Sequence, residues 1–161
     1  MESWRATSGT AKTSATLVFS AQSSMDPDAT VEVRERSEGW RTVGIVGGVV
    51  KSIYHAVYKV DEQGQVEPTA VISENMKTMV AAMLVALKIR SFNSNPLRVL
   101  HLGLGAGTLI RLLAHAVPTC QQVAVELDSA VVAAAQLLPQ LPNFHILPAD
   151  PLTYQLAQPT D

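Results

Sequence analysis

Cysteine is nearly absent from this chain: Cys120 is the only one in 161 residues. That excludes an intrachain disulfide framework and any multi-cysteine metal site, and it suits a reducing compartment. With no adjacent His or run of bases, Cys120 reads as a small buried hydrophobe and not as an activated thiol. Long apolar runs are missing too. The longest, residues 79–87, falls far short of the roughly twenty residues needed to cross a bilayer, so no membrane-spanning segment is expected. Nor is there an excess of positive charge. Twelve Lys+Arg against fourteen Asp+Glu give a formal net charge of -2, which excludes a general electrostatic grip on nucleic acid or anionic lipid. Charge of either sign is scarce after residue 95, where only Arg98, Arg111, Glu126, Asp128, Asp150 and Asp161 remain. Such a lightly charged, mildly acidic stretch fits an α/β core that binds something neutral or cationic.

What is present is apolar material for one core, with 47% hydrophobic residues in a chain long enough for a single domain. Glu2 is the only acid among the first 25 residues, which are crowded with Ser and Thr and carry Arg5 and Lys12. This composition describes either an organelle transit segment or a flexible tail. Residues 1–28 are therefore assigned as a tail or targeting segment, although 16–19 has the character of a strand. The expected location is cytoplasmic, with an organelle as the alternative.

From residue 29 the pattern is that of strands. Ala29, Val31 and Val33 alternate with Glu32, Arg34 and Arg36, placing aliphatics on one face and charges on the other. A turn at 37–39 leads into a returning strand at 40–46, and Gly47-Gly48 permits a second reversal. Residues 49–60 are β-branched and aromatic, and 61–64 closes a hairpin into a strand at 65–72. Residues 29–72 thus predict a small antiparallel unit, too small to stand alone, that must pack on the C-terminal part of the chain. The spacing of Met76, Met79, Val80, Met83, Leu84 and Leu87 predicts a core-facing helix, capped by Ser73. Residues 73–95 supply this helix and a linker ending at Pro96.

Beyond the linker, residues 96–161 alternate strand, helix, strand, helix, strand, with strands at 98–102, 122–127 and 144–147 and helices at 108–116 and 129–138. Asp128 or Ser129 caps the second helix. This alternation predicts a parallel sheet, so the fold class is α/β: a partial Rossmann-like sheet preceded by an antiparallel unit and a helix.

The first of these strands runs straight into Gly103-Leu104-Gly105-Ala106-Gly107, and a helix starts at Thr108. Glycines at alternate positions let a ligand approach backbone N–H groups at a helix N-terminus. Thr108 stands where the dinucleotide G-x-G-x-x-G pattern has its third glycine, which disfavours an NAD-binding reading. Glu126 ends the second strand 19 residues after Gly107, where an acid accepts hydrogen bonds from ribose hydroxyls. Asp150 follows the third strand at the same sheet edge. Three features at three consecutive strand ends point to a nucleoside ligand. His55, His101, His115 and His145 have spacings that fit no metal site, and Tyr154 reads as a helix-face aromatic.

Residues 97–150 resemble the first nucleoside-binding half of the class I S-adenosylmethionine-dependent methyltransferases, and within them the spermidine/spermine synthase-like branch. The resemblance implies that Gly103, Gly105 and Gly107 line the methionine and ribose part of a donor, either S-adenosylmethionine or decarboxylated S-adenosylmethionine. It also implies that Glu126 holds both ribose hydroxyls and Asp150 meets the adenine amino group, with Asp128 no closer than the ribose. Ser52-Ile53-Tyr54-His55 is similar to the S-x-Y-Q segment of polyamine synthases, with His55 where a substrate-touching Gln is usual. Two departures stand out. The stretch 61–79 lacks the branch's acidic D-G-x-x-Q and D-E-x-x-Y-x-E segments, and no fourth parallel strand ending in a catalytic Asp is recognisable before Asp161. No residue is therefore assigned as general base.

The expected function is methyl or aminopropyl transfer from a small-molecule nucleoside donor to an unassigned acceptor. The alternative is a truncated, inactive member acting as a binding or assembly protein, with self-association into a homo-oligomer left open.

Overall fold

The computed structural model describes residues 15–49, 52–70, 74–89, 97–138 and 143–148, with backbone alone at 52–55, 74–75 and 86–89. Its elements are strands β1 (Thr16–Gln22), β2 (Ala29–Glu35), β3 (Trp40–Gly47) and β4 (Ser52–Lys59), helix α1 (Glu74–Ile89), then β5 (Arg98–Leu102), α2 (Thr108–Ala116), β6 (Gln121–Glu126), α3 (Ser129–Gln136) and β7 (Phe144–Pro148). The chain is mixed α/β. The first four strands form an antiparallel sheet in sequence order, and β5-β6-β7 form a parallel one. No helix among the described residues is long and apolar enough to cross a membrane.

The alternation in β2 works as the sequence demands. Ala29, Val31 and Val33 are buried, while Glu32 and Arg34 pair on the opposite face at 2.6 Å. Arg41 reaches Glu35 across the β2–β3 ladder, where the two residues stand opposite each other. Such half-exposed pairs contribute roughly 0–1 kcal/mol each; the sheet is held by its apolar face.

Three expectations need correction. First, the tail over 1–28 does not extend that far. Residues 16–22 are β1, antiparallel to β2, and Phe19 and Ala21 pack against the core; residues 1–14 lie outside the described residues. The alternation of Phe19 and Ala21 is hidden in a Ser/Thr-rich stretch. Second, no strand forms over the described part of 65–72. The turn at 61–64 closes as expected, with Asp61 Oδ1 accepting from the amides of Gln63 and Gln65, but the ladder consists of one bridge, Val60 to Val66. Pro68 then takes the second position of a turn closed by Ala70 N–H on Glu67 O at 3.1 Å, a place its fixed φ favours. The fourth strand of the sheet is β1 instead. Third, α1 buries a narrower stripe than its Met spacing implies. Val80 is buried and Met76 and Met83 are half-buried, whereas Met79 and Leu84 are exposed. At about 100° per residue, 76, 80 and 83 share one line and 79 and 84 fall on its flanks. The expected cap Ser73 and the linker 91–96 lie outside the described residues.

The strands and helices after residue 96 appear where the alternation placed them, to within a residue or two. The antiparallel unit and this α/β half share one core. Val31, Val33, Val43 and Tyr58 of the first sheet join Leu104, Ile110, Ala124 and Ala134 of the second half in a single buried cluster. Helix α3 mediates this, touching β1 and β2 on one side and β6 and β7 on the other. Its buried residues Ala130, Val131 and Ala134 are small enough for both sheets to approach closely.

Candidate functional site

The loop after β5 is shaped by its alternating sequence. Leu104 and Ala106 are 7% and 3% exposed and point into the core, so they fix the loop from below. Gly103, Gly105 and Gly107 take φ of 95°, 54° and 69°, the left-handed region that glycine enters without a Cβ penalty. A Cβ added at Gly103 or Gly105 would meet nothing within 4 Å. The glycines are thus required by backbone conformation, and the space above the first two is open to a ligand. Gly107 begins α2 with no side-chain cap, so the positive end of the helix dipole faces the loop. Thr108, in the place of a third glycine, is buried, and its Oγ1 has no hydrogen-bond partner among the described residues.

Glu126 and the glycine loop are brought together, as the sequence implied, but by a bond the sequence did not reveal. Leu104 N–H donates to Glu126 Oε2 at 2.9 Å, beside the Gly103 N–H to Val125 O bond that continues the sheet. The other oxygen, Oε1, accepts from the amides of Leu127 and Asp128 at 2.9 and 3.0 Å. A carboxylate has about four lone-pair sites. Three are occupied here, so the side chain is already oriented at the loop and keeps its remaining acceptor capacity mainly on Oε2.

Asp128, expected no closer than a ribose, is committed elsewhere. It caps α3 by accepting from Ala130 N–H at 2.9 Å, as one of the two sequence alternatives held. It also accepts from the Ser23 hydroxyl at 2.6 Å and from the Ser24 amide and hydroxyl at 3.1 and 3.2 Å. Ser24 Oγ in turn accepts from Ser129 N–H at 3.0 Å. Asp128 is 5% exposed. Burial alone would raise its carboxyl, but the hydrogen bonds from Ser23, Ser24 and Ala130 outweigh that and hold its pKa below the ordinary value. Sequence reasoning missed both serines. Their one local signal is the turn Ser23 makes by accepting from the amides of Met25 and Asp26.

His101 is buried on β5, its Nε2 2.9 Å from Gln122 Oε1. Gln122 Nε2 donates to Ile110 O at 3.1 Å, which leaves Oε1 as acceptor and so assigns the proton to His101 Nε2. Burial lowers the His101 pKa, and the neutral ring ties β5 to β6 and α2. His55 occupies a register irregularity: Val43 pairs with Ala56 and Gly44 with Tyr54, making His55 the extra residue of a bulge on β4. Its side chain lies outside what is described. Asp150 also lies outside the described residues; β7 ends at Pro148, opposite Glu126.

No protein-family model matches the chain, and no curated protein matches it. Among solved structures it is similar to a probable spermidine synthase from Corynebacterium glutamicum ATCC 13032, with a TM-score of 0.67 and 19% identity over 83% of this chain and 44% of that one. A spermidine synthase in complex with the transition state analogue AdoDATO aligns with a TM-score of 0.43 and 22% identity, covering 83% of this chain and 41% of that one. The chain thus spans less than half the length of either structure. The first likeness concerns the fold, which is a Rossmann-like, methyltransferase-type α/β arrangement carrying an antiparallel sheet.

Proposed function

We propose that the chain binds the nucleoside of a sulfonium donor, decarboxylated S-adenosylmethionine or S-adenosylmethionine, as part of a transferase of spermidine synthase type. One observation carries this reading: an open, left-handed glycine loop whose Leu104 amide is held by the strand-end carboxylate Glu126. The open space at Gly103 and Gly105 fits a flat or linear ligand lying against backbone. Glu126 supplies an acceptor for a ribose hydroxyl, and the sparse charge after residue 95 leaves no cationic cluster to repel a sulfonium. When bound, such a donor supplies a carbon whose bond to sulfur breaks, the electron pair going to sulfur, as the lone pair of an acceptor attacks. The part played by this chain is positioning, the largest single lever for a two-reactant displacement. An attacking ammonium must also lose a proton, and no described residue is assigned that role.

The fold likeness favours aminopropyl transfer as the finer reading and lends no weight to an inactive binding or assembly protein. The NAD alternative is weakened by Thr108, whose buried side chain fills the third-glycine position. Calorimetric titration with decarboxylated S-adenosylmethionine, S-adenosylmethionine and NAD tests the proposal. A sulfonium nucleoside should bind saturably, and Glu126→Ala should weaken it by roughly tenfold or more, as loss of a hydrogen bond to a charged group implies. Binding of NAD alone, or of none of the three, would overturn it.

A further inference from the structure

Glu126 does not hold its place unaided. Its Oε1 is fixed by the amides of Leu127 and Asp128, which lie in the turn between β6 and α3. Leu127 is 41% exposed and gives that turn no apolar anchor. The turn is anchored by Asp128, and Asp128 is gripped across 104 and 105 residues of sequence by Ser24 and Ser23 from the turn between β1 and β2. The Ser23 hydroxyl is used to capacity, donating to Asp128 and accepting from Met25 and Asp26. Ser24 Oγ adds a cap on α3 from outside the helix. An unbroken run of hydrogen bonds therefore leads from the antiparallel sheet through Asp128 to Glu126, and from Glu126 to the Leu104 amide in the glycine loop.

We propose that Ser23 and Asp128 form a latch between the two sheets that positions Glu126 and, through it, the glycine loop. This rests on the donor-site reading only for its consequence in binding; the latch itself is a property of the free chain. Neither residue touches the proposed ligand site, so both are positioning residues. The second sheet has local means to form its strands and helices, but the orientation of its strand-end carboxylate depends on a serine contributed by the first.

The test is amide hydrogen exchange, followed by NMR on the free full chain, in Ser23→Ala, Ser23→Thr and Asp128→Asn. In Ser23→Ala and Asp128→Asn the Leu104 and Asp128 amides should exchange at least tenfold faster, while amides within the β5–β6 ladder change little. Ser23→Thr, which keeps the hydroxyl, should restore protection. Unchanged exchange at Leu104, or a uniform rise across every amide, would overturn the latch, the latter because it marks general destabilisation. Titration with decarboxylated S-adenosylmethionine then reads the consequence. Ser23→Ala should weaken binding several-fold in the natural chain and add nothing in a Glu126→Ala background, whereas full additivity would overturn the positioning role. A natural chain that binds no nucleoside sinks the donor reading, and the exchange result still decides the latch.

Discussion

Asp128 is a carboxylate taken out of water and repaid by donors from two distant turns and a helix start, and its energetics reflect that exchange. Its folded pKa lies below its ordinary value, with burial opposing and the Ser23, Ser24 and Ala130 hydrogen bonds prevailing. The stability it contributes is therefore complete above the unfolded-state pKa, near 3.9, and is lost as pH falls through the lower folded value. His101 acts in a higher window and with the opposite bias. Its neutral form is favoured by burial, so protonation of the unfolded chain below about pH 6.5 draws stability away. Urea midpoints measured against pH should accordingly fall in two limbs. Asp128→Asn should flatten the limb below about pH 4 and leave the one beginning near pH 6.5; loss of both limbs together would contradict the assignment. The glycines and Glu126 were legible in the sequence because their chemistry is written at short, fixed spacing. Ser23, Ser24 and the role of Asp128 were not, because a contact across more than a hundred residues leaves no local pattern.

The glycine loop works as an element because its odd and even positions do different things. Leu104 and Ala106 anchor it in the core, and the glycines between them carry the backbone through the left-handed region. At Gly105 these two demands separate cleanly, since an added Cβ meets no protein atom within 4 Å. Gly105→Ala should therefore cost only the conformational penalty, about 1–2 kcal/mol, as measured by urea denaturation. The same methyl enters the space proposed for the ligand, so binding of decarboxylated S-adenosylmethionine should weaken further than the stability loss explains. A variant that binds as well as the natural chain would show that the ligand does not approach the loop there. The strand–helix alternation around this loop was readable because parallel α/β units repeat their periodicity. The end of the β4 hairpin and the edges of the α1 stripe were not. A proline-directed turn competes with a ladder at Pro68, and how wide a helix face is covered depends on the neighbours it meets.

The whole molecule is organised around α3, which lies between two sheets and closes a core drawn from both. The sequence placed the two sheets correctly as kinds of structure, yet left them as separate units. Their joint is made of Ala and Val on one helix and two serines on one turn. That joint carries a consequence for the order of events in folding. The contacts of Ser23 and Ser24 with Asp128 and Ser129 enclose more than a hundred residues, and closing such a loop costs on the order of 4 kcal/mol of chain entropy. Each sheet forms its ladders from contacts much nearer in sequence, so the serine contacts come after the rate-limiting step. Stopped-flow kinetics should show Ser23→Ala unfolding faster while refolding at nearly the natural rate; an equal slowing of refolding would place the contact in the folding nucleus. During synthesis the antiparallel sheet emerges whole long before residue 128 exists, and its turn must wait, preformed, for the helix start it will cap.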